Sequence, residues 1–194
     1  MAPIPDIESK TDEEVAVLVL EDPERYVHLM RRYEAKILRY IVRITGLASD
    51  DAEDVLQEVF IKAYRHLRDF DPTLKFSSWL YRIAHNEAVS QFRKSKARPQ
   101  VVRSDEEDQD LVQKLVVDPD LQGNFDRGLD AARVKAAIDS LGGKYREVLI
   151  LRFIEDRDYR EISDILCKPM GTVATLINRA KAGLRDRLQD QAKP

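Results

Sequence analysis

The sequence predicts an all-α chain, built as two small helical domains joined by an acidic flexible linker, with a helix-turn-helix in the C-terminal one. Three observations carry this. Glycine is scarce, at 7 of 194 residues. Nearly every segment repeats its apolar residues at three- and four-residue spacing, the period of a helix with one face turned inward. That repeat lapses from about residue 98 to 127, where Asp, Gln and Val dominate. A structureless stretch of that length is unusual inside one compact domain and marks a joint. The division predicted is therefore 1–97, a linker over 98–127 with a short turn at 111–116, and 128–194. A hydrophobic fraction of 43% is adequate for folded cores.

In order along the chain, Thr11-Asp12-Glu13-Glu14 has the form of a capping box ahead of an apolar run ending near Leu20. Asp22-Pro23 offers a cap and a first-turn proline to a longer helix, stopped by Gly46. Its predicted buried side is Tyr26, Leu29, Met30, Tyr33, Ile37, Leu38, Ile41 and Val42, with His28 beside it as a structural histidine. Asp50-Asp51-Ala52-Glu53 places acids at the positive end of a third helix dipole, whose inner face is Val55, Leu56, Val59, Phe60, Ala63, Tyr64 and Leu67. After the Asp71-Pro72 turn, Ser77 or Ser78 is expected to cap a fourth helix with Leu80, Ile83, Ala84, Ala88 and Phe92 apolar, and Pro99 breaks it.

In the second half, Leu129, Ala132, Val134, Ile138 and Leu141 predict a helix stopped by Gly142-Gly143, and Tyr145 to Phe153 a second. A short helix bearing Tyr159, Ile162, Ile165 and Leu166 then meets the turn Cys167-Lys168-Pro169-Met170 and a longer helix opening at Gly171-Thr172. This is helix-turn-helix architecture, in which the first helix braces the second and the second offers its N-terminal residues to a DNA major groove.

Composition excludes several classes. No glycines stand at the spacing of a phosphate-cradling loop, a dinucleotide fingerprint or a nucleophile elbow, and His28, His66 and His85 form no metal-binding pair. A non-enzyme without metal or cofactor is expected. The lone Cys167 excludes an internal disulfide and fits a reducing cytoplasm. The polar, acidic N-terminus and the lack of a long apolar run point to neither export nor membrane insertion.

The net charge of −3 conceals a partition. Residues 1–24 and 104–126 each hold eight acids and one Lys, whereas 82–98 and 168–187 each hold five Arg/Lys and one acid. The first basic stretch is approached through Phe70, Phe76, Trp79 and Tyr81, and charge interleaved with rings suits a strand whose bases are unstacked. Each ring taken singly is also an ordinary core residue. In the second, Val173, Leu176, Ile177, Ala180 and Leu184 face inward and leave Thr172, Thr175, Asn178, Arg179 and Lys181 outward, the chemistry that reads base edges or holds phosphates in duplex. On the third helix Asp51, Asp54, Gln57, Glu58 and Lys62 share an outer face, which by composition alone is an ordinary solvated surface. Two other readings fit the residues: a stand-alone helix-turn-helix repressor or activator with residues 1–97 as sensor or dimerisation module, and an adaptor whose acidic helix binds a basic protein.

DAEDVLQEVFIKAYRHL at 51–67, FSSWLYRIAHNEA at 76–88 and YREISDILCKPMGTV at 159–173 occur in that order, and with them the chain resembles the bacterial RNA polymerase sigma factors of the extracytoplasmic-function (ECF) group over nearly its whole length. The resemblance implies that Asp51, Asp54, Gln57 and Glu58 dock on the coiled coil of the polymerase largest subunits, with the polymerase flap as a further contact. It implies that Phe70, Lys75, Phe76, Ser77, Trp79, Tyr81, Arg82, Asn86 and Arg93 capture and hold the opened minus-ten element. Lys168, Thr172, Thr175, Asn178, Arg179 and Lys181 would contact the minus-thirty-five element as duplex. The linker would lie in the polymerase RNA path as a strand mimic, and an inhibitory anti-sigma partner is expected. The chain departs from the family pattern at Ser90, where many relatives have aspartate, and at Ala174 and Leu176, often polar or basic. Cys167 replaces a common glycine, and Asp156-Arg157 a frequent glycine–apolar pair.

Overall fold

The computed structural model describes residues 7–95, 136–138 and 140–190, and they are helical throughout with short connections. The linker, its acidic residues and the predicted helix residues 129–135 lie outside the described residues. The chain separates into two compact units, 1–101 and 102–194.

In the first unit, α1 (Asp12–Glu21) starts on the expected capping box: the Thr11 side chain accepts from the Glu14 N–H, and the Glu14 carboxylate accepts from the Thr11 N–H. Asp22 caps a single 3₁₀ turn, Pro23–Arg25, which feeds α2 (Tyr26–Thr45). Gly46 ends α2 at φ 69°, a left-handed conformation that costs a residue with a Cβ roughly 1–2 kcal/mol. Next come α3 (Ser49–Arg65), a 3₁₀ turn at Leu67–Asp69, and α4 (Phe76–Ser95). Helices α2, α3 and α4 pack on one another, and α1 closes against α2 and α4. Their shared core holds Leu29, Tyr33, Ile37, Tyr40, Ile41, Val59, Phe76, Leu80, Tyr81 and Ala84. Each large side chain buried there contributes roughly 1.5–3 kcal/mol.

Three expectations change here. Helix α4 begins at Phe76, before either serine, because its first turn is capped from a distance: the Phe76 N–H donates to Glu13 Oε1 of α1 at 2.8 Å. Ser78 instead points inward, 4% exposed, with no hydrogen-bond partner for its Oγ among the described residues. Met30 and Tyr64, predicted to be buried, are 37% and 45% exposed, since they line an open groove between α2 and α3. Tyr40, absent from the predicted stripe, is fully buried, its ring 5.0 Å from that of Tyr81.

In the second unit, Gly142 caps α5 (Gly143–Leu149), which runs into one π-helical turn, Ile150–Ile154, closed by the Glu155 N–H on the Ile150 carbonyl. The single helix predicted over 145–153 is therefore split. The wider turn lets Val148, Leu149, Ile150 and Leu151 all be buried in succession, which a regular helix with one inner face does not permit. Helix α6 (Tyr159–Leu166) opens on a second capping box, Asp158 with Glu161. Cys167 follows at φ 51°, and α7 (Met170–Asp190) begins one residue before the expected Gly171. Helix α7 packs on α5 and α6 through Val173, Ile177, Ala180 and Leu184. Leu176, predicted inward, is only half-buried.

Candidate nucleic-acid interface

The loop before α4 is an Asx turn. Asp71 Oδ1 accepts from the Thr73 N–H at 2.9 Å and from the Thr73 hydroxyl at 2.8 Å, bonds that hold the Asp71 carboxyl below its usual pKa. Leu74 and Lys75 at its tip are exposed. Behind it the aromatic residues form one cluster, with Phe70 5.4 Å from Phe76, Phe70 5.3 Å from Trp79 and Phe76 5.6 Å from Trp79.

Burial separates the members of that cluster. Phe76 and Tyr81 are fully buried and Phe70 is 8% exposed, so these three rings have no face for a base to stack on. The resemblance places these three among the strand contacts; in the structure they are core residues, and Phe70 and Phe76 pack against Trp79, which keeps part of its surface outside. Ser77 and Arg82 are half-buried, and Asn86 and Arg93 exposed.

Trp79 and Asn86 line a cup of about 340 Å³ together with Lys62, His66, Asp69, Ile83 and Glu87. Lys62 donates to Glu87 and lies 3.6 Å from Glu58; the hydrogen bond to Glu87 raises its pKa. His66 Nδ1 meets Asp69 Oδ2 at 3.1 Å. One indole wall, one amide and a cation–carboxylate rim make a surface that can hold a flat ring and hydrogen-bond its edge. The sequence reading placed Lys62 on the outer face of the third helix and Ile83 on the apolar side of the fourth, and assigned none of Lys62, His66, Asp69, Ile83 and Glu87 to this cup. Helical spacing from Trp79 to Ile83 and Asn86-Glu87 was the available signal, whereas the approach of α3 was not written locally.

On α3, Asp51, Asp54 and Gln57 are exposed and Glu58 half-buried. The stripe Asp54, Gln57, Glu58 continues one turn on to Ile61, which is 44% exposed. There it opens into a mainly apolar groove of about 400 Å³ lined by Tyr26, Met30, Leu56, Phe60, Ile61 and Tyr64, with Glu34, Gln57 and Arg65 as its polar members. The floor is rigid, because the buried Tyr26 hydroxyl donates to the Phe60 carbonyl at 2.8 Å; burial also pushes the Tyr26 pKa up. The acidic face anticipated from sequence is thus half of a mixed surface, acidic toward the start of α3 and apolar toward its end.

In the second unit Thr172, Thr175, Asn178 and Arg179 are exposed on the outer side of α7. Lys168 is half-buried in the turn, its backbone held by Ser163 Oγ at 2.5 Å. Lys181 is half-buried, with Nζ 5.4 Å from the Phe153 ring, and so leans toward the π turn and away from the outer side of the helix. Beneath the turn, burial raises the Glu147 pKa to about 7 against an opposing pull from Lys168.

Among the described residues no group of His, Cys, Asp and Glu could hold a metal ion, and no helix is long and apolar enough to cross a membrane. Residues 29–98 match the family model for sigma-70 region 2 and residues 131–184 that for sigma-70 region 4. The ECF RNA polymerase sigma factor SigW of Bacillus subtilis (strain 168) is 34% identical over 174 residues, 87% of this chain and 91% of that protein. CnrH, solved in complex with the cytosolic domain of CnrY, is similar at a TM-score of 0.65 and 25% identity, covering 95% of this chain and all of that one. The sigma factor RpoE, solved in complex with the anti-sigma factor NepR from Bartonella quintana, shares the fold at a TM-score of 0.58 and 23% identity, over 84% of this chain and 96% of that one. The chain belongs to the ECF sigma factors, alternative sigma subunits of RNA polymerase that direct promoter-specific transcription initiation and are not themselves catalysts.

Proposed function

We propose that this chain, acting in the bacterial cytoplasm, grips core RNA polymerase with the outer face of α3, holds the opened minus-ten element with the cup beside Trp79, and reads the minus-thirty-five duplex with α7. The observation that carries the reading is the half-exposed indole of Trp79, set by a fully buried aromatic cluster at the mouth of a cup with an amide on its rim. A base removed from its stack loses contact area that an indole face restores, at roughly 1–3 kcal/mol per base.

The acidic and apolar halves of the α3 surface suit a partner helix with one basic and one apolar side, the complement that a polymerase coiled coil would supply. Two-site attachment, by one unit to parted strands and by the other to intact duplex, fixes the register of polymerase on the promoter. An anti-sigma factor is proposed as an inhibitory partner, since the similar fold of RpoE was solved with the anti-sigma factor NepR bound. The boundaries 1–97, 98–127 and 128–194, and a path for the acidic linker along the RNA channel, belong to the same proposal.

Run-off transcription with purified core enzyme tests it. Defined start sites are expected with the intact chain. Trp79→Ala should reduce strand opening without loss of duplex binding, and Arg179→Ala should weaken upstream recognition by roughly 1–3 kcal/mol. Tight operator binding without polymerase, and no defined start with it, would replace this reading by that of a stand-alone repressor or activator.

A further inference from the structure

Among the described residues, Met170 is 54% exposed, the largest fraction of any large apolar side chain. It stands at one edge of the outer face of α7, one helical turn before the half-buried Ala174. In the middle of that face, Thr175 Oγ1 donates to the Gly171 carbonyl at 2.8 Å. Its hydroxyl proton is thereby committed to the helix, and the group left to donate nothing is the γ-methyl. The polar readers Asn178 and Arg179 lie a turn farther along. At the leading edge of the recognition surface Met170 and the γ-methyl of Thr175 therefore present carbon beside the exposed Thr172, flanked by the cations Lys168 and Arg179 that suit a phosphate backbone on either side.

Carbon in a major groove has one base-specific partner. Thymine alone presents a methyl group there, and cytosine lacks it at the same position of the ring. We propose that Met170 and the γ-methyl of Thr175 read the 5-methyl groups of thymines in the upstream promoter element, so that this chain selects promoters partly by apolar contact. The proposal rests on α7 entering the major groove, as argued above, and adds what its leading edge recognises there.

Deoxyuridine lacks only the 5-methyl group and keeps every hydrogen-bonding atom of thymine. Holoenzyme assembled from the full chain and core polymerase is bound to a promoter identified by start-site mapping, with each upstream thymine replaced in turn. At one or two positions the replacement is expected to weaken binding about four-fold, the worth of one buried methyl group. Met170→Ala or Thr175→Ser, the latter keeping the hydroxyl, should weaken the thymine promoter by a similar factor and abolish the difference at its own position. Equal binding of thymine and deoxyuridine promoters overturns the proposal while leaving promoter recognition intact. A deoxyuridine penalty unchanged in both variants also overturns it, because the methyl groups are then read by something else. No promoter-specific binding by the intact holoenzyme overturns the underlying function as well.

Discussion

Replacing Glu13 tests how α4 is started. In the structure the carboxylate of α1 accepts the N–H of Phe76, 63 residues away, in a partly buried position. Loss of an N-cap acceptor costs roughly 0.5–2 kcal/mol, and a bond to a charged acceptor contributes roughly 1.5–3. Because Phe76 is fully buried, water replaces the lost acceptor poorly, and Glu13→Ala should therefore remove about 2 kcal/mol. Glu13→Gln should remove about half of that, since a neutral acceptor makes roughly half as strong a bond. Trp79 is the only tryptophan in the chain and sits one turn from the cap, so its fluorescence follows this region alone. In urea, with a slope of roughly 1–3 kcal/mol per molar, the Ala variant should unfold about 1 M earlier. Open promoter complexes formed with it should also be shorter-lived. An unchanged midpoint for Glu13→Ala would refute the long-range cap, and equal losses for Ala and Gln would refute the role assigned to charge.

Cys167→Gly should stabilise the C-terminal unit by about 1 kcal/mol in thermal unfolding, because a glycine adopts the left-handed cap at φ 51° without Cβ strain. Asp156→Gly, at the same φ, should gain less, because aspartate tolerates that region better than most residues. Tyr26→Phe should cost about 1 kcal/mol by leaving the buried Phe60 carbonyl without its donor, as read by denaturant unfolding. Glu147 gives a pH signature: its carboxyl is held near 7 when folded against an ordinary 4.5, so between those values the folded state binds the extra proton. Stability of this unit should accordingly fall by about 2–3 kcal/mol as pH rises through that window, then level off. Glu147→Gln should flatten that slope, and a slope that persists would remove Glu147 as its source.

How far the sequence could be read depended on where each cause lies. The Thr11 capping box, the Gly46 stop and the Asp158 start of the helix-turn-helix are local, written within four residues, and were legible. The start of α4 was misplaced because its cap comes from Glu13, and no pattern around Ser77 or Ser78 records a partner 63 positions back. The π turn at Ile150–Ile154 was invisible for a related reason: four consecutive apolar residues, Val148 to Leu151, are ambiguous until the surrounding helices say which directions are inward. Among the candidate contacts, residue type marked Asn86 and Arg179 as outward polar groups, and both are exposed, yet it could not separate the half-buried Trp79 from Phe76 and Tyr81, rings of similar chemistry that lie fully inside. The two positions where the family commonly has glycine, 156 and 167, are the two non-glycine residues at positive φ among the described residues, which gives that departure a backbone meaning.

The enclosure of Phe70, Phe76 and Tyr81 has a consequence for genetics. Screens for inactive alleles will recover changes at all three as readily as at Trp79, and such alleles will look like a footprint on the promoter. Their cellular protein levels should fall together with activity, whereas an allele at Asn86 should leave abundance intact. Only a map corrected for abundance will trace where the nucleic acid lies.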